Sequence, residues 1–206
     1  MVFMEDSERA AALAREQSIK VGLHLNFTEP FSDQSCPGAV RDNQENVARH
    51  LLRSPFARAI FHPGLVTSFR VLVTAQVEEF RRLYGVEPER LDGHHHMHLS
   101  ANVLLSGLLP PGTAVRRHFS FEPGEKTVRN SVFRLFTRML LRRHRTTDHF
   151  FSLPPLEPEE RLQRIFSLAR HNTVELETHP VNSDEYRFLT GGEIFKWAGD
   201  SLVGCR

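Results

Sequence analysis

Apolar positions along the chain switch between two periods. An alanine-rich stretch from Ser7 to Gln17, entered through Asp6 or Ser7, predicts a capped helix. Val21 to Thr28 alternates cleanly. Val21, Leu23, Leu25 and Phe27 share one face, and Gly22, His24, Asn26 and Thr28 share the other, which is a strand pattern. Glu29 to Gly64 is rich in proline, glycine and polar residues, with a short helix expected near Asn43 to Arg53. From Thr67 to Tyr84, Phe69, Leu72, Val73, Val77, Phe80 and Tyr84 recur at helical spacing, and Gly85 supplies a stop. A strand is expected next. On it Asp92, His94, His96 and His98 would point one way, and Leu91, Gly93, His95, Met97 and Leu99 the other. Val128 to Arg145 predicts a second long amphipathic helix, with Val128, Val132, Leu135, Phe136, Met139 and Leu140 as its apolar stripe. Glu157 to His171 gives a further helix, led by Pro158-Glu159-Glu160. Thr173 to Pro180 alternates again, with Glu175, Glu177 and His179 on one side. Strands alternating with helices predict an α/β fold with a parallel sheet or barrel.

Composition narrows the class. The chain has 206 residues, enough for one core and a single domain over residues 1–206. Apolar residues make up 40% and the net charge is +1, so a globular chain is expected and no nucleic-acid partner is demanded. Arg129, Arg134, Arg138, Arg142, Arg143 and Arg145 line much of the second long helix. An anion-binding face is one reading of them, and a solvated or acid-paired face is preferred because the whole chain is nearly neutral. Cys36 and Cys205 form no bridge framework and no paired-cysteine zinc motif. The first residues lack the basic and apolar regions of a signal peptide, and no apolar run approaches a membrane span. The cytoplasm is the expected location, by elimination.

Histidine carries the chemistry. Four of the five residues from His94 to His98 are histidine, and neutral imidazole is the commonest metal ligand and a frequent general acid or base. A solvated histidine-rich loop is the plainer reading of the run alone. Three separate strand candidates, however, end near a polar-face histidine: His24, His94 and His179. In a barrel of this kind chemistry sits at the C-terminal strand ends, so the three could meet at one mouth. Two imidazoles and a carboxylate make a common divalent metal site with positions left for water and substrate. A third histidine could protonate a leaving group.

Val21-Gly22-Leu23-His24-Leu25-Asn26-Phe27-Thr28, Leu91-Asp92-Gly93-His94-His95-His96-Met97-His98 and Glu175-Leu176-Glu177-Thr178-His179-Pro180 resemble, in order and spacing, three signature segments of the YdjC-like carbohydrate deacetylases. Thr146-Thr147-Asp148-His149-Phe150-Phe151 resembles a fourth. The resemblance implies a distorted β/α, TIM-like barrel of the glycoside hydrolase/deacetylase type. It implies removal of the N-acetyl group from an acetylated amino sugar or oligosaccharide with a divalent metal, magnesium first and zinc as the alternative. Matched by motif, it makes His24 and His94 metal ligands and His179 the catalytic acid/base. Asp92 and His96, on the expected strand face of His94, are assigned to substrate contact or to support behind the ligands.

One departure bears on activity. The family pattern opens with a strand ending Asn-Ala-Asp-Asp-Phe-Gly, whose aspartates supply a carboxylate ligand and the base. These 206 residues do not contain that motif. The expectation is therefore an N-terminally truncated barrel without its first strand, inactive or nearly so as it stands. A non-catalytic metal- or sugar-binding protein on the same scaffold is the alternative, and an unpaired barrel edge is compatible with a homodimer.

Overall fold

The computed structural model describes residues 1–120 and 128–198, with the backbone alone for 128–130, 132 and 133. Cys205 and the side chains of Val128, Arg129 and Val132 lie outside what is described. The chain divides into two compact units, Met1–Arg116 with Arg129–Thr146, and Arg117–Val128 with Thr147–Arg206.

The first unit carries a parallel three-stranded sheet. Helix α1 (Ser7–Glu16) precedes strand β1 (Leu23–Leu25). Helices α2 (Gly38–Leu52) and α3 (Val66–Tyr84) follow, then β2 (Arg90–Gly93). Helix α4 (Ala101–Leu105) leads to β3 (Ala114–Val115), and α5 (Val128–Leu140) comes after. The sheet order is β1-β2-β3, with Leu23 beside Leu91, His24 beside Asp92 and Leu25 beside Gly93. Register partners in a parallel pair share a face. Leu23, Leu25 and Leu91 are buried in a core with Phe27, Phe69, Leu72 and Phe80, each such side chain contributing roughly 1.5–3 kcal/mol.

The α3 expectation holds in detail, since Phe69, Leu72, Val73, Val77 and Phe80 are buried and Gly85 closes the helix at φ 71°. The same stripe contains Gln76, fully buried, for a reason local periodicity does not reveal. Its Oε1 accepts from the Asn26 backbone N–H at 2.7 Å, and its Nε2 donates to the Asn26 carbonyl at 3.0 Å. Asn26 in turn accepts from the N–H groups of Thr28 and Glu29. This is why β1 stops at Leu25 instead of running to Thr28: the Asn26 side chain takes over the hydrogen bonding that a strand neighbour would provide.

The second unit holds β4 (His149–Ser152), helix α6 (Glu159–Ala169), β5 (Val174–Glu177), helix α7 (Ser183–Thr190) and helix α8 (Glu193–Ala198). Strands β4 and β5 pair in parallel, with His149 beside Val174 and Ser152 beside Glu177. Its core gathers Leu153, Leu162, Phe166, Phe188 and Ala198.

The architecture is thus α/β with two small parallel sheets, and no closed barrel forms among the described residues. No helix among them is long and apolar enough to cross a membrane.

Two expectations are corrected. The α5 stripe is not a buried face: Leu135 is 63% exposed and Met139 53%, with Phe136 also exposed, while Thr137 and Leu141 are buried. Helical geometry ends at Leu140 in a 3-10 turn, Leu141–Arg143, and the chain then pins Arg145 beside Ala114. Thr137 satisfies its hydroxyl locally by donating to the Arg134 carbonyl at 3.1 Å, which lets it occupy an inward position. The histidine run is not a strand either. Extended backbone ends at Gly93, and His94–Leu99 forms a 3-10 turn in which His95 (φ 51°) and His96 (φ 57°) are left-handed. His96 therefore does not share a strand face with His94.

Candidate functional site

The polar face at the C-terminal ends of β1 and β2 carries His24 and Asp92 as register partners. His24 Nδ1 lies 2.8 Å from Asp92 Oδ1. A carboxylate only accepts, so Nδ1 carries a proton, and in the neutral ring the lone pair is on His24 Nε2. The other Asp92 oxygen is held by Arg116 Nη1 at 2.7 Å, with the side chains of Asp92 and Arg116 only 15% and 14% exposed. Burial raises the Asp92 pKa, but hydrogen bonding to His24 and the charges of His24 and Arg116 outweigh it and hold the carboxyl down at about 2. Asp92 is therefore an anion throughout the working pH range, fixed by two partners.

His94 begins the turn directly after β2. Its ring centre lies 5.9 Å from that of His24, edge-on at 72°, and 4.0 Å from that of His95. Burial lowers its pKa, so it is a neutral nitrogen donor at pH 7. His98 is fully buried, and its Nε2–H donates to the Arg116 carbonyl at 2.8 Å. The ring folds back over Gly93, where a Cβ would sit 3.0 Å from His98 Cβ and Nδ1. That close approach explains the glycine and the abrupt end of the strand. It also forces the left-handed residues that follow, each at roughly 1–2 kcal/mol.

Arg116 is thus held through its side chain to Asp92, through its carbonyl to His98 and through its backbone N–H to the Leu91 carbonyl. Periodicity does not reveal it, because Asp92 and His98 lie 24 and 18 residues upstream. The only local signal is a charge directly after the short apolar pair Ala114-Val115.

The donor set fits part of a divalent metal site. His24 is oriented by a carboxylate behind it, the arrangement that fixes metal-bound imidazoles, and His94 stands beside it as a second neutral donor. Among the described residues no group of three histidine, cysteine or acidic side chains converges to complete a metal site.

The YdjC-like protein family matches residues 1–197. The chain belongs to this family. Among relatives, a carbohydrate deacetylase of Clostridium beijerinckii is 24% identical over 98% of this chain and 83% of its own length. A carbohydrate deacetylase of Mus musculus is 32% identical over 47% of the chain, a match spanning 32% of the mouse protein. One of Xenopus laevis is 29% identical over 44% of the chain and 30% of its own length. No solved structure matches the chain significantly.

In this YdjC-like chain the third histidine, His179, lies in the second unit, two residues beyond β5, and is exposed. Its backbone N–H donates to Glu185 Oε2 at 2.8 Å, and its carbonyl accepts from Asn182 N–H at 2.8 Å. Asn182 caps α7 through Asp184 N–H. The buried Glu185 thus ties the histidine-proline turn to the first turn of α7. His96 stands outside the His24–Asp92 pair. Burial first, then the charges of Arg116 and Arg58, lower its pKa to about 4.

Proposed function

We propose that the chain carries the metal-binding half of a carbohydrate deacetylase site that hydrolyses the N-acetyl group of an acetylated amino sugar. The reading rests on family membership and on one observation above all: His24 is held by Asp92 at 2.8 Å, next to His94, at the C-terminal ends of two parallel strands. His24 and His94 would hold the divalent ion, magnesium by family resemblance and zinc as the alternative. When bound, it would polarise the acetamide carbonyl and acidify a water. Asp92, clamped by Arg116, keeps the His24 tautomer and ring direction fixed, which is a positioning role rather than substrate contact. His179 would give a proton to the departing amine.

The aspartate pair that the family pattern supplies as carboxylate ligand and base is not in these 206 residues. A second reading is metal and sugar binding without turnover. The two separate in one assay: acetate release from N,N′-diacetylchitobiose, by the chain alone and by the chain fused to a strand ending Asn-Ala-Asp-Asp-Phe-Gly. The enzyme reading expects little acetate from the chain alone and metal-dependent release from the fusion. The binding reading expects none from either.

A further inference from the structure

A second pair of histidines lies away from His24 and His94. His50, near the end of α2, is only 7% exposed, and its Nε2 is buried without a hydrogen bond. His62, in the loop before α3, presents its ring to His50 with centres 5.1 Å apart and planes at 73°. Two imidazoles on one tetrahedral zinc have ring centres about 5 Å apart, from Zn–N distances of about 2.0–2.1 Å. The observed spacing matches that arrangement.

His62 is held in place before any ligand arrives. Its backbone N–H donates to Asn102 Oδ1 at 2.9 Å, and Asn102 Nδ2 donates back to its carbonyl at 2.8 Å. Asn102 is almost fully buried in α4. The His62 ring lies against Gly64, where a Cβ would sit 3.2 Å from His62 Cε1. One partner is therefore sunk in the protein, and the other is anchored through its backbone and open to solvent. A buried imidazole nitrogen without a donor or acceptor loses hydration for nothing in return, and a metal ion would supply the missing partner.

We propose that His50 and His62 form a second metal site, for zinc or a related borderline divalent ion, with water completing the tetrahedron. With two imidazoles and no carboxylate ligand, this site disfavours ions that take all-oxygen coordination, such as magnesium and calcium. Bound metal would tie the end of α2 to the loop that Asn102 joins to α4, directly after the histidine turn.

The test is calorimetric titration of the full 206-residue chain with zinc chloride, alongside its thermal midpoint with and without zinc. The variants are His62→Gln, the double variant His24→Gln/His94→Gln, and the triple variant. His62 is exposed, so His62→Gln is expected to fold normally, with circular dichroism as the check. The double variant should retain one zinc-binding event and a zinc-dependent rise in midpoint. Adding His62→Gln should remove both. Zinc binding by the double variant that is insensitive to His62→Gln would overturn the proposal, as would no zinc binding by the double variant at all.

Discussion

Asp92 Oδ1 sits 2.8 Å from His24 Nδ1, across a parallel strand pair in which the two residues are register partners. The contact sets a proton on one side of the His24 ring and, in the neutral ring, the lone pair on the other. Asp92→Asn keeps the shape but removes the charge and permits the opposite tautomer. It should weaken metal binding by about 10–100-fold while leaving the fold intact. Cobalt titration followed by visible absorption, beside far-ultraviolet circular dichroism, measures both.

Arg116 closes the other side of Asp92 at 2.7 Å. Arg116→Met leaves a nearly buried carboxylate short of its cation and should cost about 2–4 kcal/mol, somewhat below the usual cost of breaking a buried pair because some solvent reaches it. Arg116→Lys should recover part of that loss, and urea unfolding of the three proteins gives the comparison.

Gly93 has ordinary extended dihedrals, so conformational freedom does not explain it. Space does: a methyl group there would meet His98 at 3.0 Å. Gly93→Ala should lower stability by about 1–3 kcal/mol through overpacking, read as a fall in thermal midpoint.

His98 gives the fold an acid limit. Burial, with the charges of His96 and Arg116 against those of Asp92, holds its pKa down at about 4. The unfolded chain takes up this proton near pH 6.5 and the folded one only near pH 4. The contribution is fully present above pH 6.5 and is lost as pH falls towards 4, up to about 3 kcal/mol. His98→Gln should reduce the pH dependence of urea stability in that window, with His96, whose pKa is also held down at about 4, supplying the remainder. The wild-type slope should persist if another group is responsible.

Much of this was readable from the chain, and the limits have physical causes. Alternation around Leu23 and Leu25 placed His24 on the polar face, and the same period put Asp92 on the polar face of its own strand, but that the two are register partners depends on strand pairing, which no local period encodes. The α3 stripe is buried as its spacing predicts. The period failed at Gly93, because a strand pattern cannot register that the His98 ring folds back onto the glycine and ends the strand. It also failed at α5, where Leu135 and Met139 face solvent and Thr137 faces inward. Arg116 and Gln76 escaped notice because their partners are distant in sequence, at Asp92 and Asn26. His179 was singled out by its polar-face position and its motif, while its support from Glu185 depends on the first turn of a helix that begins four residues on.

His24 and His94 are the proposed ligands for the metal of a deacetylase site. The most direct measurement is acetate release from N,N′-diacetylchitobiose by the chain fused to the aspartate-bearing strand, with magnesium or zinc, for wild type, His24→Gln and His94→Gln. Metal-dependent release is expected in the wild-type fusion, cut by at least about a hundredfold in each variant. Release that either variant leaves unchanged, or a wild-type fusion that binds the sugar and frees no acetate, would contradict this assignment.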